Sequence, residues 1–471
     1  MNKRGLVVHR STVGSVAEPG LSQGRSPMRD ERRRRRRAWD KDILRLAVPA
    51  FGALVAHPVF LLIDAAIVGT LGTAPLAGLG AATTVVAAIV GLCVFLAYAT
   101  TAAVARLIGA GDRPGALAQG LEGMLLGLGL GAVLGAVVWF AAPTLTTALG
   151  TTGEVSDFAV TYMRIVALSL PAMLGVLAGV GVLRGLQDTR TTLIVTLAQV
   201  GLNLVLSLVF VLGLGWGIAG SALGTALAEL LGLIAYGAVL LRLAHRERIS
   251  LIPTGAGVLR SARDGVPLFV RTIALRLVFL IAAGVAARIG DADLAAYHVT
   301  ATLFFALALA LDALAIAGQA LLGKMLGAND ISSSRLVTRR LIWWSVWMGV
   351  VLGVLVVAMQ PWLPSWFSAD PAVIAIMSGA LFVVAVQQPL AGIVFALDGV
   401  LIGAGDTRFL AWAQIGVLAG FIPAAWSVVH YDLGITGIWW AIAWFLLLRV
   451  VILGWRARGN AWLVPGAVRA R

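Results

Sequence analysis

Charge is scarce in this chain. Only 12% of its 471 residues are charged, where a soluble globular domain carries roughly a quarter. Sixty per cent are hydrophobic and the mean hydropathy is +0.94, which excludes a water-soluble fold. Cysteine is nearly missing as well. Cys93 stands alone in an apolar run, so no intramolecular disulfide can form, and it reads as a small buried hydrophobe. No metal-ligand spacing, nucleophile elbow or nucleotide fingerprint occurs. Gly318 to Lys324 imitates a phosphate loop, but Met325 follows where Ser or Thr must hold magnesium, and no strand precedes it. These gaps exclude enzyme chemistry and imply no cofactor; any work must come from an ion gradient. Acidic residues number 22 against 36 basic ones, a net charge of +14. Thirteen of the basic residues fall within the first 46, including Arg32 to Arg37. A surplus so concentrated describes a solvated tail that can touch anionic lipid, and it counts against nucleic acid as a partner.

What the chain has in abundance is long apolar stretches. Twelve of them, each long enough to cross a bilayer, lie near 43–69, 76–105, 117–141, 158–183, 191–213, 217–243, 265–289, 294–323, 336–359, 372–402, 409–430 and 434–455. They are too long and too uniformly apolar for barrel strands. Lys and Arg collect in the tail, in the 106–113, 184–190 and 324–340 loops and in the 242–263 linker. Loops 70–75, 142–157 and 213–217 have none. The positive-inside rule therefore places both termini in the cytoplasm.

Sliding the chain along itself by 218 positions exposes a repeat. Val48-Pro49 meets Val266-Pro267, Gly109 and Asp112 meet Gly327 and Asp330, and Pro171 meets Pro389. GVLRGLQDTR at 181–190 meets GVLIGAGDTR at 399–408. Six spans per half is an even number, so the halves share one orientation and are related by an axis along the membrane normal, with a cavity between them. The expected fold is an all-α membrane protein of twelve helices in two lobes. The expected divisions are a disordered basic tail (1–40), a first lobe (41–245), a cytoplasmic linker (246–263), a second lobe (264–456) and a C-terminal tail (457–471).

One carboxylate, Asp64, lies deep in the first span, where an ionised group is costly and usually works. Its repeat mate is Ala282, so the fold itself does not require an acid there. His57, two turns earlier, is expected on the same face, and Pro58 is expected to kink the helix beside them. Gln199, Asn203 and Ser207 recur every four residues along the fifth span, and Thr225 lies on the sixth; together with Asp64 they could form a polar pocket. In the second half, depth along the helices matches Arg276 with Asp312 and Arg271 with Asp398, which are either structural ion pairs or, with His57, Gln199 and Ser207, candidates for the substrate cavity. His298, near the outer end of the eighth span, is a further candidate for the substrate cavity.

Four pieces carry a resemblance: LLIDAAIVGTLGTAPLAGLG at 61–80, RTIALRLVFLIAAGVAARIGDADLAAYHV at 271–299, LDALAIAGQALLGKMLGAND at 311–330 and LDGVLIGAGDTRFL at 397–410. With the repeat, they make the chain similar to the multidrug and toxic compound extrusion (MATE) family, in its DinF-like branch. The resemblance implies two six-helix lobes forming a V, and efflux of organic, often cationic or amphipathic compounds against H+ or Na+. It implies that Asp64 is the carboxylate whose protonation bends the first helix, accompanied by Asn203 and Thr225. Ser207 stands where fuller members of the family have a second carboxylate, which favours H+ over Na+. Asp312 and Asp398 match the branch's second-lobe carboxylates, and Gln319 stands where a Glu is common. The leading reading is a monomeric proton-coupled exporter of the inner or plasma membrane. The alternative is a flippase for lipid-linked precursors, which predicts an arginine-lined cavity.

Overall fold

A computed structural model describes residues 27–248, 255–367 and 370–467. Among them the chain is helical, with no strand. The first lobe comprises α1 (Pro27–Gly69), α2 (Thr73–Leu92), α3 (Phe95–Gly109), α4 (Arg113–Ala148), α5 (Gly153–Ala167), α6 (Leu170–Gly185), α7 (Thr189–Ser207), which ends in a π-turn at Leu208–Gly213, and α8 (Gly217–Arg246). The second comprises α9 (Gly255–Ile289), α10 (Asp291–Gly327), α11 (Ile331–Met359), α12 (Leu363–Phe367), α13 (Pro371–Val386), α14 (Gln388–Gly403), α15 (Thr407–His430) and α16 (Gly434–Arg458).

Ten spans are single long stretches, and two are pairs bent by 54° (α5/α6) and 47° (α13/α14), giving the expected twelve. The bends fall at Ser169 and Gln387, repeat mates, each two residues before a proline, Pro171 and Pro389. A proline ring removes the hydrogen bond to the carbonyl four residues back and opens the helix there. Those freed carbonyls, Ala167 and Ala385, lie directly over Gly135 of α4 and Gly353 of α11. Helices approach this closely only through small residues.

The 218-residue repeat becomes a spatial twofold at the end carrying the basic loops. Gly109 of α3 packs on the Lys324 carbonyl of α10, and Gly327 packs on the Arg106 carbonyl, so each contact is the other's mirror in sequence. Arg106 Nη1 donates to Ala404 O across the lobes (2.7 Å), and its mate Lys324 donates to Gln187 Oε1 (3.0 Å). Four turns near this end end in Asp112, Asp188, Asp330 and Asp406. Each aspartate follows a residue with positive φ, namely Gly111, Gln187, Asn329 and Gly405. Three of these aspartates cap the next helix through their side chains, while Asp406 pairs with Arg456 instead.

The tail and linker depart from expectation. Helix α1 begins at Pro27, so the last part of the 1–40 tail is helical rather than disordered, and residues 1–26 lie outside the described residues. At the end of that stretch Asp40 pairs with Arg340 of α11 and accepts from Trp344 Nε1 at 2.8 Å. The second part of the 246–263 linker already belongs to α9. Beyond α16 the chain folds back. Trp462 is buried, and Arg106 donates to Val464 O (2.5 Å) and Gly466 O (3.1 Å). Helix α1 keeps its helical assignment through both Pro49 and Pro58.

Candidate functional site

Asp64 is 2% exposed, five residues before the C-terminal end of α1, walled by α7 and α8. Its carboxylate accepts from Ser221 Oγ (2.9 Å to Oδ1, 3.1 Å to Oδ2) and from Ser207 Oγ (3.2 Å). Ser207 also reaches Asn203 Oδ1 (3.2 Å), and Asn203 Nδ2 donates to Thr225 Oγ1 (3.3 Å). The buried Tyr162 of α5 lies against Ser221 and Thr225. Among the described residues Asp64 has no ion-pair partner. Hydroxyls are suited to such a place. Each can donate to a carboxylate or accept from a carboxylic acid, so the pocket accommodates both protonation states without moving a charge.

Of the residues singled out in the sequence, Ser207 touches Asp64 directly, and Asn203 and Thr225 continue the chain of hydrogen bonds behind it. Ser221 was not anticipated, although it lies four residues before Thr225, and the reasoning applied to α7 finds it on α8. Ala282, the repeat mate of Asp64, is packed in the second lobe's apolar core. His57 does not join the pocket. It is exposed, with its ring near Phe60 (6.2 Å), because seven residues bring it to the same side of α1 but two turns away along a helix whose face changes neighbours. Gln199 lies further along, over Gly232 and against Glu229.

The second-lobe charges surround a cavity of about 220 Å³ between α9, α10, α14, α16 and the kinked α2/α3 span. Asp398 accepts from Arg271 Nη2 (2.5 Å) and from Arg449, all three nearly buried. The pair of Arg271 with Asp398 is as depth matching predicts; Arg449 of α16 was not foreseen. The expected pair of Arg276 with Asp312 does not form. Asp312 is surrounded by Tyr98, Arg184 and Arg271, while Arg276 is exposed against Gly91 and has no ion pair among the described residues. Five residues separate Arg276 from Arg271, about 140° around the helix, so only one can face α14. His298 is exposed beside Tyr297 and does not line the cavity. Gln319 donates to Tyr98 O (2.5 Å), bridging the lobes beneath it. Phe279, Phe304, Phe305, Phe395 and Phe445 complete the walls. The lining thus carries three arginines, Arg271, Arg276 and Arg449, and two aspartates, Asp312 and Asp398.

The family model MatE matches residues 49–209 and 267–426, one copy per lobe. Protein DETOXIFICATION 43 of Arabidopsis thaliana is 32% identical over 333 residues, 70% of this chain and 62% of the relative. The match thus spans less than two thirds of that relative's length. DNA damage-inducible protein F of Escherichia coli is 29% identical over 452 residues, covering 90% of this chain and 94% of the relative. A crystal structure of MATE in the bent conformation superposes with a TM-score of 0.81 at 22% identity, covering 90% of this chain and 96% of the other.

Proposed function

Because the chain belongs to the MatE family, the multidrug and toxic compound extrusion transporters, we propose that it exports small organic compounds by antiport against protons. The lobes alternate access about the twofold between α3 and α10. One observation carries this reading: the single first-lobe carboxylate at this depth is buried among hydroxyls with no cation to hold it ionised. A proton arriving from outside neutralises Asp64, removes the cost of a buried charge and frees α1 to repack against α7 and α8. Binding of substrate from inside returns the carboxylate to its charged form and releases the proton. One proton crossing 100 mV supplies about 2.3 kcal/mol, enough for a concentration ratio of about fifty. The pocket has a single carboxylate among the described residues, which suits a proton better than Na+. The protein works as a monomer in the plasma or inner membrane with both termini inside, where the tail arginines meet anionic lipid.

The test is efflux from inverted vesicles, comparing proton and sodium gradients across a panel of dyes and fluoroquinolone-like compounds. Asp64→Asn is expected to abolish gradient-driven efflux while the protein still folds; a fully active Asn variant removes the proton-switch role. A second reading, flipping of an anionic lipid-linked precursor, draws on Arg271, Arg276 and Arg449 around the second-lobe cavity. It predicts that Arg276→Ala impairs growth while leaving dye efflux intact.

A further inference from the structure

Helices α7 and α8 run antiparallel, and their facing residues are polar rung after rung. Starting at Asp64, the rungs are Ser207 with Ser221, Asn203 with Thr225, Gln199 with Glu229, and Thr192 with Tyr236, whose hydroxyl approaches Thr192 O (3.4 Å). Thr196 fills the gap between the last two, its hydroxyl 3.4 Å from Tyr236 Oη. Beyond Tyr236 lies Arg184, and beyond that Asp312 at the second-lobe cavity. The seam thus descends from Asp64 toward the end of the basic loops.

In the second lobe the mates of the three rungs nearest Asp64 are apolar, although the mate of Thr196 is the buried Gln414 and α16 carries the buried Arg449. The mates of Ser207, Asn203 and Gln199 are Ala425, Phe421 and Val417; those of Ser221, Thr225 and Glu229 are Trp439, Ala443 and Leu447. Packing α7 on α8 therefore does not need polar residues, and a carboxylate replaces what is in the sister lobe an outward-facing leucine. Glu229 is part-buried twelve residues from the start of α8, about 18 Å in at 1.5 Å per residue. Its side chain cannot reach either end. An acid so placed is costly and stands in need of a task.

We infer that Glu229 is a second proton-binding carboxylate, taking the proton that Asp64 releases and passing it along the α7/α8 seam toward the basic-loop end. This rests on the proton-antiport reading above. In the step, an O–H bond breaks at Asp64 and one forms at Glu229, leaving Asp64 anionic and Glu229 neutral. The two acids lie about two helical turns apart along α8, roughly 12 Å, so the transfer requires water entering between the rungs when the helices move. Gln199 of α7 faces Glu229 directly, and Tyr236 lies within electrostatic reach on its own helix. Arg184 of α6 is beyond that tyrosine, Tyr162 of α5 meets the first two rungs up the seam at Thr225 and Ser221, and Asp64 of α1 stands at the second, against Ser207 and Ser221. No cation sits against the carboxylate among the described residues, so a proton is its available neutralising partner.

The full chain, purified into lipid nanodiscs, is examined by acid-minus-neutral infrared difference spectra in the carbonyl region of protonated carboxyls, and by proton uptake after a pH jump. Two first-lobe bands are expected, one lost in Asp64→Asn and the other in Glu229→Gln. Proton exchange at Asp64 is expected to slow at least tenfold in Glu229→Gln and to recover in Glu229→Asp and in the swap Gln199→Glu/Glu229→Gln. A merely structural glutamate would be served by glutamine, which keeps size and hydrogen bonding. If Glu229→Gln removes no band, or leaves exchange at Asp64 at the wild-type rate, the relay is overturned. Loss of no band in Asp64→Asn would instead overturn the antiport reading, and the two failures are distinct.

Discussion

Asp398 offers the sharpest test of how the second lobe is held together. It sits between Arg271 and Arg449, each less than one tenth exposed, and both guanidinium groups meet the same oxygen, Oδ2. Replacing it with asparagine preserves shape but leaves two buried cations facing a neutral amide. Removing one member of a buried ion pair costs about 3–5 kcal/mol, mostly because the remaining charge has no compensation. Here two charges are orphaned and also repel each other, so the loss belongs at or above the upper part of that range. The double variant Asp398→Asn/Arg449→Leu removes one orphan, and it should regain roughly half of what the single variant loses. Urea or detergent-denaturation midpoints of purified protein measure both. An Asp398→Asn protein as stable as the wild type, or a double variant no better than the single one, would refute the claim that this aspartate neutralises two arginines.

Three further outcomes follow from the geometry. Ser221→Ala should lower proton-driven efflux about tenfold in the vesicle assay, since it removes the closer hydroxyl from Asp64 and a hydrogen bond to a charged group is worth roughly 1.5–3 kcal/mol; Ser221→Thr should retain activity. Gly327→Val should cost about 1–3 kcal/mol or more by wedging α10 off the Arg106 carbonyl. Gly129→Ala, where the added methyl meets open space, should be neutral or slightly stabilising in the same melts.

Much of this architecture is legible from the chain because two of its signals survive translation into space. Run length finds the spans, and the 218-residue offset finds the twofold, down to the reciprocal contacts of Gly109 and Gly327. Depth along a helix was enough to pair Arg271 with Asp398. It failed for Arg276 because depth says nothing about rotation, and rotation is set by close contacts such as that of Arg276 with Gly91, whose partners lie far apart in sequence. Arg449 and Arg184 were missed for the same reason: each enters from a helix whose facing side only the assembled bundle reveals. Ser221 was recoverable from its four-residue spacing to Thr225. The ordering of Asp40 and of the C-terminal turn was not, since both depend on single partners across the lobes, Arg340 and Arg106.

The fold-back after α16 gives Arg106 a wider significance. Its guanidinium starts from the first lobe, and the carbonyls it meets at Ala404, Val464 and Gly466 all belong to the second lobe or its tail. Any motion that parts the lobes here must tear those links, each worth on the order of 1–3 kcal/mol. The segment that follows α16 is thereby a clasp, fastening the two halves together at the end of the basic loops.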